Sequence, residues 1–380
     1  MPSYDYIFTG TGAAALSLLT RMVESGKFNQ KKILLVDRAE KNQNDRTWCF
    51  WEKQAGYFEH LVYRKWDQLS FHSKEYSKNL DNQPYQYKMI RGIDFYKYCF
   101  DKINAHPGIE RMIGEVELKA GNRAKPDLLV NGEAIDISKA ILFNSIYKDP
   151  ASDKKGIHFL QHFKGWIIDT KNKKFDSSMA TLMDFRVHQK HGTSFVYVLP
   201  LSDNKLLVEY TLFTPTLLSQ EQYDAELRYY INHFLQLSDF SIEDQEFGVI
   251  PMSTASFPSA QDGIYNIGTA GGQTKASTGY TFQFIQKQAN TIFQQLLDGK
   301  PIDFSNQTKG KFHYYDKVLL TVLADGKLGG DQVFGRLFAR NKAASIFKFL
   351  DNESVLREDI RIMSTLPFFP FLSAGWKALF

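Results

Sequence analysis

Hydrophobic and polar positions near the start of the chain follow the order of one β-α-β unit. The apolar run 6–8 is typical of a buried parallel strand, and residues 13–22 predict a helix with a wide apolar face. A second apolar run, 33–36, ends at Asp37. The pattern therefore predicts a strand, a turn, a helix and a second strand that ends at an acidic residue.

The turn of this unit carries a glycine fingerprint. Gly10 and Gly12 allow a tight turn and a close approach of the backbone to a ligand, and Ala15 stands where the pattern accepts a small third residue. The first helical turn would hold a pyrophosphate on its free N–H groups. We predict cofactor binding by Gly10, Thr11, Gly12, Ala13, Ala14, Ala15 and, at the ribose 2′-hydroxyl, Asp37. The alternative is a nucleotide-free α/β domain with a glycine turn.

A second junction of strand, glycine loop and helix lies near residue 270. Residues 264–267 predict a strand, the loop 268–280 follows, and an amphipathic helix begins near Phe282. The glycines of this loop, Gly271, Gly272 and Gly279, would offer backbone N–H groups to the other half of an extended cofactor. Two such junctions favour FAD over NAD. A glycine turn before a packing helix is the alternative.

Period-two alternation between the junctions predicts an antiparallel sheet. The strand candidates are 69–71, 85–90, 156–170, 181–185, a hairpin of 195–201 and 205–213, and 247–252, which we expect to stop at Pro251. Runs at 109–118, 128–130 and 134–137 predict a β-meander, and 140–143 predicts a further strand of the nucleotide domain. Arg91 precedes a helix predicted over 93–103, where it either reaches the cofactor or is a solvated helix-start arginine.

Two sets of candidate functional residues lie within these predicted elements. The run 46–52 is expected to form a loop at the carboxyl edge of the parallel sheet, with Trp48, Phe50 and Trp51 either lining a substrate site or plugging the core. Glu209 shares a strand face with Leu207 and Thr211. In an apolar site its pKa would be raised, so that it could donate a proton near neutrality. The residues alone favour the alternative, a place on the solvated face.

Composition, net charge and cysteine spacing exclude several classes of function. The net charge of +4 over 380 residues is too small to indicate nucleic acid binding. Cys49 and Cys99 lie far apart without metal or disulfide spacing, and the first strand leaves no room for a signal peptide, so we expect a cytoplasmic location. No run approaches the roughly 20 apolar residues of a spanning helix. Aromatic residues make up 14% of the chain, which suits either an aromatic core or a long apolar cavity.

Several motifs carry a resemblance that covers most of the chain. They are the fingerprint 10–15, the run Asp45-Arg46-Thr47-Trp48-Cys49-Phe50-Trp51, the segments 161–166, 183–185 and 199–209, the strand 248–252 and the loop 268–280. In this order they resemble the FAD-dependent lycopene cyclase family of bacteria and plants. The resemblance implies an α/β fold, with a Rossmann-type FAD-binding domain like that of flavoprotein hydroxylases, an antiparallel β-sheet substrate domain and C-terminal helices.

The resemblance also implies an activity. Lycopene ψ-ends would be cyclised to β-rings without net redox change, using reduced FAD with NAD(P)H as reductant. Glu209 falls at the family's essential acid, and either Glu209 or the reduced flavin would supply the proton. Many bacterial members carry a second acid directly after it, whereas this chain has Tyr210. The alternatives are an FAD-dependent monooxygenase, a prenyl or carotenoid reductase, and a non-catalytic flavin- or lipid-binding module.

The same resemblance implies a division of the chain into FAD-binding, substrate-binding and helical segments. FAD-binding segments are expected at 1–60, 91–150 and 251–300, substrate-sheet segments at 61–90 and 151–250, and a helical region for substrate access and membrane contact at 301–380. Because lycopene is insoluble in water, it must be taken from a bilayer. We therefore expect peripheral association with the inner membrane through the C-terminal helices, and no nucleic acid partner.

Overall fold

The computed structural model describes residues 3–119, 127–149, 156–255, 257–261, 263–304 and 310–379. In these ranges the strands are β1 (Tyr6–Thr9), β2 (Ile33–Asp37), β3 (Thr47–Glu52), β4 (Arg64–Trp66), β5 (Gln68–His72), β6 (Ser77–Leu80), β7 (Gln86–Arg91), β8 (Ile109–Ile113), β9 (Val116–Lys119), β10 (Asp127–Val130), β11 (Glu133–Ile135), β12 (Ile141–Asn144), β13 (His158–Asp169), β14 (Met179–Asp184), β15 (Thr193–Ser202), β16 (Lys205–Thr214), β17 (Ser241–Ser253), β18 (Ala260–Gln261) and β19 (Ile264–Asn266). The α-helices are α1 (Ala13–Glu24), α2 (Gly92–Asn104), α3 (Gln220–His233), α4 (Phe282–Leu297), α5 (Gly310–Asp325), α6 (Gly330–Arg340), α7 (Ala343–Leu350), α8 (Leu356–Met363) and α9 (Phe368–Leu379).

A parallel sheet holds the N-terminal unit that the sequence predicts. Its strand order is β18-β19-β12-β1-β2-β8, and the edge strand β18 alone runs antiparallel to its neighbour among these strands. Every residue of β1 is buried, as expected for a strand covered on both faces. Helix α1 packs between α2 and α4 against this sheet. The predicted strands at 6–8, 33–36, 140–143 and 264–267 are confirmed.

The predicted β-meander is only partly right. Strand β8 (109–113) pairs in parallel with β2 and extends the parallel sheet, whereas β9, β10 and β11 form a separate antiparallel sheet. The division falls at Gly114, whose N–H donates to the carbonyl oxygen of Asp37 over 2.9 Å. The chain thus completes its pairing with β2 before it turns into the meander.

A larger sheet has the strand order β17-β13-β16-β15-β14-β5-β6, antiparallel except for the parallel pair β14–β5. The hairpin predicted around 202–204 is confirmed as β15 and β16. One face of this sheet packs on α3, and the other contributes to a core shared with α5, α6 and α7. Strand β17 continues through Pro251 instead of stopping there, because an edge strand needs no N–H on its open side.

A small antiparallel sheet has the strand order β3-β7-β4, and its side chains belong to both main hydrophobic cores. The run 46–52 was expected as a loop, but residues 47–52 are the strand β3, whose Thr47 pairs with Arg91 of β7. Successive side chains of β3 therefore point to opposite faces. Among the helices of the described ranges, no helix is long and apolar enough to cross a membrane.

Candidate active site and cofactor cleft

The first glycine turn lies at the carboxyl end of β1. Gly10 has a φ of +86°, and a Cβ there would lie 2.5 Å from Oγ of Ser145, so the position admits only glycine. Gly12 is different, because a Cβ there would meet no described atom within 4 Å. Helix α1 begins directly after it, with no acid in its first turn and no side-chain cap from the described residues. The start of α1 thus presents bare N–H groups to an open space.

The second glycine loop approaches the same place. Gly268 has a φ of +62°, and a Cβ there would lie 2.6 Å from Cβ of Ala14 in the first turn of α1. Helix α4 follows this loop and likewise has no acid in its first turn and no described side-chain cap. Gly272 and Gly279 also have positive φ, of +75° and +70°. The two predicted junctions are therefore brought together, and both helix N-termini are suited to bind anions.

Asp37 and Arg91 have partners within the protein. One Asp37 oxygen, Oδ2, accepts hydrogen bonds from the backbone N–H and the hydroxyl of Thr11, over 2.5 and 2.8 Å. Asp37 therefore lies against the fingerprint turn. Arg91 donates to both Asp94 oxygens, over 2.6 and 2.9 Å, and covers the ring of Tyr63. For both residues a contact with a cofactor stays a prediction.

Two glutamates face each other across one glycine of the larger sheet. Gly165 of β13 pairs with Glu209 of β16 on one side and with Glu246 of β17 on the other. Residues directly opposite each other in neighbouring strands have their side chains on the same face. The two Cα atoms are therefore about 10 Å apart, twice the strand spacing. Their long side chains extend toward each other over the position where Gly165 has none.

The face that carries Glu209 is the buried one. Leu207 and Thr211, its neighbours on that face, are 2% and 0% exposed. Met252, which shares a face with Glu246, is 0% exposed and belongs to the same core as Leu207. Glu209 itself is half-buried. The fully solvated position that the residues alone favoured for it is therefore wrong, because this face packs largely against other parts of the molecule.

Hydroxyl groups bind both carboxyl groups. Thr211 donates to Oε1 of Glu209 over 2.8 Å, and Thr47 donates to Oε2 of Glu246 over 2.6 Å. Burial raises the pKa of Glu209 well above its usual range, and the charge of Glu246 raises it further. Burial also raises the pKa of Glu246, against which the Thr47 hydroxyl and the charge of Arg46 act. Both shifts favour a protonated carboxyl group, and the shift is larger at Glu209.

Rings and a thiol surround the carboxyl pair. The hydroxyl of Tyr280 lies 3.4 Å from that of Tyr87 and 3.5 Å from that of Tyr197. Burial raises the pKa of all three tyrosines and of the Cys49 thiol, so these groups stay neutral. Trp51 packs against Tyr280 with ring centroids 4.3 Å apart. The surroundings are therefore aromatic and largely uncharged.

The predicted aromatic set is split by the pleat of β3. Trp51 lies on the same side as the carboxyl pair and stacks on Phe347 of α7. Trp48 and Phe50 point to the other side, where both contact the ring of Phe282 at the start of α4. The structure thus places Trp51 in the core on the side of the carboxyl pair, and Trp48 and Phe50 in the core next to the glycine loop. Their contact with substrate stays a prediction.

Sequence reasoning missed Glu246, Thr47 and Gly165 as a group. Glu246 follows Glu243, Asp244 and Gln245, and such a polar run resembles a solvated edge. One signal was available, because Glu246 precedes Gly248 by two positions and shares its strand face with the apolar Ile250 and Met252. The pairing of Gly165 with both glutamates is a long-range register and leaves no local trace.

A large apolar cavity lies among the C-terminal helices. Its volume is about 1140 Å³. It extends from Ser277 of the second glycine loop, past residues of α5 and α6, to Phe369 and Trp376 of α9. These two α9 side chains are also largely exposed to solvent. The cavity thus connects the glycine loop with an aromatic surface of α9.

Comparison with known proteins identifies the family of this chain. The model of the family described as lycopene cyclase protein matches residues 5–375. The chain belongs to the lycopene cyclase family. It is 25% identical over 217 residues to lycopene beta-cyclase of Pantoea ananas, a match covering 55% of the chain and 52% of that protein. This member of the lycopene cyclase family thus spans about half the length of the curated relative it matches.

Solved structures confirm the fold of this lycopene cyclase family member. A geranylgeranyl bacteriochlorophyll reductase-like protein of Thermoplasma acidophilum matches with a TM-score of 0.61 at 13% identity, covering 98% of this chain and 95% of that one. A flavoprotein/dehydrogenase of Cytophaga hutchinsonii matches with a TM-score of 0.59 at 11% identity, covering 95% and 99%. The predicted fold class, a Rossmann-type FAD-binding fold with an antiparallel sheet and C-terminal helices, is confirmed.

Gly165→Ala should destabilise the protein by forcing the carboxyl pair apart. The new Cβ would lie 2.9 Å from Cγ of Glu246 and 3.0 Å from Cδ1 of Leu207, and such overpacking costs about 1–3 kcal/mol. We expect a lower thermal unfolding midpoint than for Gly310→Ala, where a Cβ meets no described atom within 4 Å. Glu246→Ala added to Gly165→Ala should recover part of the loss. No recovery would show that the Glu246 side chain does not occupy this space.

Proposed function

We propose that this chain acts in carotenoid biosynthesis and cyclises the ψ-ends of lycopene to β-rings without net redox change. Membership of the lycopene cyclase family supports the class of substrate. The observation that carries the proposal is the position of the Glu209 carboxyl group, next to that of Glu246 on the face of the sheet that packs into the core and near the ring of Tyr280, where burial raises its pKa. Protonation of a hydrocarbon double bond needs such an acid in a dry site.

In this reaction the proton that the substrate gains comes from Glu209, and the proton that the substrate loses returns to Glu209. Glu209 gives its proton to the terminal double bond of the substrate, and a carbocation forms. The neighbouring alkene attacks the cation and closes the six-membered ring. A C–H proton beside the new cationic carbon then returns to the Glu209 carboxylate. No electrons are gained or lost, and the acid is regenerated for the next ring.

Charge and aromatic faces stabilise the cation in this proposal. The carboxylate of Glu246 places a negative charge next to Glu209, on the same face of the sheet. A cation over an aromatic face gains about 2 kcal/mol or more when it is desolvated. Trp51 is the member of the predicted aromatic set that lies on the side of the carboxyl pair.

The cleft fits FAD. The open space at Gly12 leaves room for a diphosphate, and the uncapped N-termini of α1 and α4 offer N–H donors to it. The close approach of Gly268 to Ala14 brings the second glycine loop to the same place. We propose that residues 10–15, Asp37 and the loop glycines Gly271, Gly272 and Gly279 hold the cofactor. Bound flavin in its reduced form, with NAD(P)H as the reductant, would supply negative charge near the cation. Arg91 remains a candidate for the phosphates, once released from Asp94.

We further propose that substrate reaches the site from a membrane surface through the C-terminal cavity. Apolar side chains of α9 are widely exposed: Phe368, Phe369, Leu372, Trp376 and Leu379 range from 58% to 80%. An exposed patch of this kind is typical of an interaction surface, and a water-insoluble hydrocarbon requires contact with a bilayer. The patch borders the cavity, so both would serve the same path.

Glu209→Gln should abolish ring formation while flavin stays bound. The amide cannot give a proton to an alkene, yet it has the size and hydrogen-bonding capacity of the acid. The measurement is pigment analysis in cells that accumulate lycopene, with flavin absorbance of the purified protein. Glu243→Gln is the matched control, because Glu243 lies exposed on β17 and pairs with Lys205. Cyclic carotenoids made by Glu209→Gln would remove this residue from the mechanism.

The same pigment assay separates the alternatives for the wild-type chain. Cyclisation conserves the mass of lycopene, whereas a monooxygenase adds oxygen and a reductase adds hydrogen. A module that only binds flavin or lipid leaves lycopene unchanged. A product of altered mass, or no product, would refute the proposed function.

Gly12→Val should weaken flavin binding without unfolding the protein. The backbone at Gly12 is extended, with a φ of −79°, so valine fits locally, but its side chain would fill the space proposed for the diphosphate. We expect an affinity lower by at least about tenfold, or about 1.4 kcal/mol. Flavin titration measures it, and Gly310→Val, at another open glycine, should bind as the wild type does. Equal affinity for both variants would place the diphosphate elsewhere.

Phe369→Glu combined with Trp376→Glu should reduce membrane binding. Each aromatic side chain contributes about 1.5–3 kcal/mol when fully buried, so the bound fraction should fall at least about tenfold. Co-sedimentation with phosphatidylcholine vesicles measures it. Leu217→Glu is the control, because Leu217 is 47% exposed and lies outside the C-terminal helices. Unchanged co-sedimentation of the double variant would refute the α9 surface as the docking site.

A further inference from the structure

One buried oxygen of the carboxyl pair has no donor while both groups are ionised. Within the described residues, Oε1 of Glu246 is buried and receives no hydrogen bond, although Oε2 accepts one from Thr47. A buried acceptor without a donor is costly. A proton on Glu209 supplies the missing donor, because the side chains of Glu209 and Glu246 lie within hydrogen-bonding reach.

The surroundings decide which of the two groups carries the proton. Burial raises the pKa of both groups. At Glu246 the Thr47 hydroxyl and the positive charge of Arg46 act against burial, whereas at Glu209 the Thr211 hydroxyl does. Because Oε1 of Glu246 is the buried acceptor that lacks a donor, we assign the shared proton to Glu209.

We propose that Glu246 is the positioning residue that keeps the transferable proton on Glu209, through a carboxyl–carboxylate hydrogen bond across Gly165. What this proton does in the reaction rests on the proposed function. The hydrogen bond itself rests only on the geometry of β16, β13 and β17. Glu246 stays ionised throughout the cycle, so the proton that leaves Glu209 for the substrate and the proton that returns to it balance.

This assignment also accounts for Tyr210, the departure from the family pattern. Residue 210 follows Glu209 directly in β16, so its side chain points to the opposite face of the sheet. Tyr210 is 0% exposed there and packs in the core with α3. An acid at position 210 would therefore lie away from Glu209. The partner carboxylate of Glu209 comes from another strand.

Few other charges face the pair. Asp244 of β17 raises the pKa of Glu246, and Arg46, next to β3, lowers it. From the other packed elements come Cys49 of β3, Tyr87 of β7, Tyr197 of β15 and Tyr280 of the glycine loop. Burial raises the pKa of each of these four groups, so they remain neutral while the pair titrates.

The proposal predicts two distinct changes in a pH profile. The active form carries one proton on the pair, so activity is lost at high pH as Glu209 ionises and at low pH as Glu246 is protonated. Glu246→Gln removes the like charge beside Glu209. We therefore expect its high-pH limb to move about one unit or more toward acid. Thr47→Val removes the donor to Glu246, so the low-pH limb should move toward alkaline pH.

A spectroscopic measurement tests the hydrogen bond without using the reaction. The purified wild-type protein should show the infrared C=O band of a protonated carboxyl group at pH 7. The band should appear in the difference spectrum of wild type minus Glu209→Gln and be strongly reduced in that of Glu246→Gln minus Glu209→Gln. Asp351, whose pKa burial raises to about 7, contributes equally to all these spectra and cancels. Glu243→Gln, an exposed change on the same strand, should keep the band and both limbs of the profile.

The outcomes separate this inference from the proposed function. If wild-type protein makes no cyclic carotenoid but its infrared band depends on both glutamates, the proposed function fails and the proton-sharing pair stands. If Glu246→Gln keeps the band and both limbs at their wild-type pH, the pair is refuted, even where cyclisation is slower. If Glu246→Gln does not fold, the low-pH limb of Thr47→Val provides the test instead, because this variant leaves both carboxyl groups in place.

Discussion

The site depends on one position in a sheet that has no side chain. Gly165 has no side chain, and it pairs with Glu209 on one side and Glu246 on the other. Strand pairing sets which residues lie opposite each other, and the pleat sets which face they share. The sheet thus brings two acids together that are far apart in sequence. The aromatic surroundings then make it costly for both to be charged.

Local periodicity predicted many of the strands and helices around this site. The first β-α-β unit and the second glycine loop were evident because each places an apolar strand, a glycine turn and an apolar helix face in a fixed order. The hairpin of β15 and β16 was evident from alternation around a polar turn. These signals are short-range. The approach of Gly268 to Ala14 is long-range, and the sequence implied it only through the prediction that both junctions bind one extended cofactor.

Long-range pairing explains what the sequence could not predict. Alternation placed Glu209 with Leu207 and Thr211, but it could not tell that this face is buried by the C-terminal helices and the glycine loop. The sequence predicts Trp48, Phe50 and Trp51 as one group, which either lines a substrate site or plugs the core, whereas strand β3 lies between two cores and divides the group. Glu246 was hidden in a polar run because that part of an edge strand is largely exposed.

The place of Glu246 on β17 has a further consequence. Among the described strands, β17 is at the edge of its sheet and pairs with β13 on one side, whereas β16 pairs on both sides. Edges of this kind open locally at a lower free energy than the centre of a sheet. On warming, the strand of the second carboxylate would detach first, and water would enter beside Glu209. The chemistry would then fail at a temperature where most of the molecule is still folded.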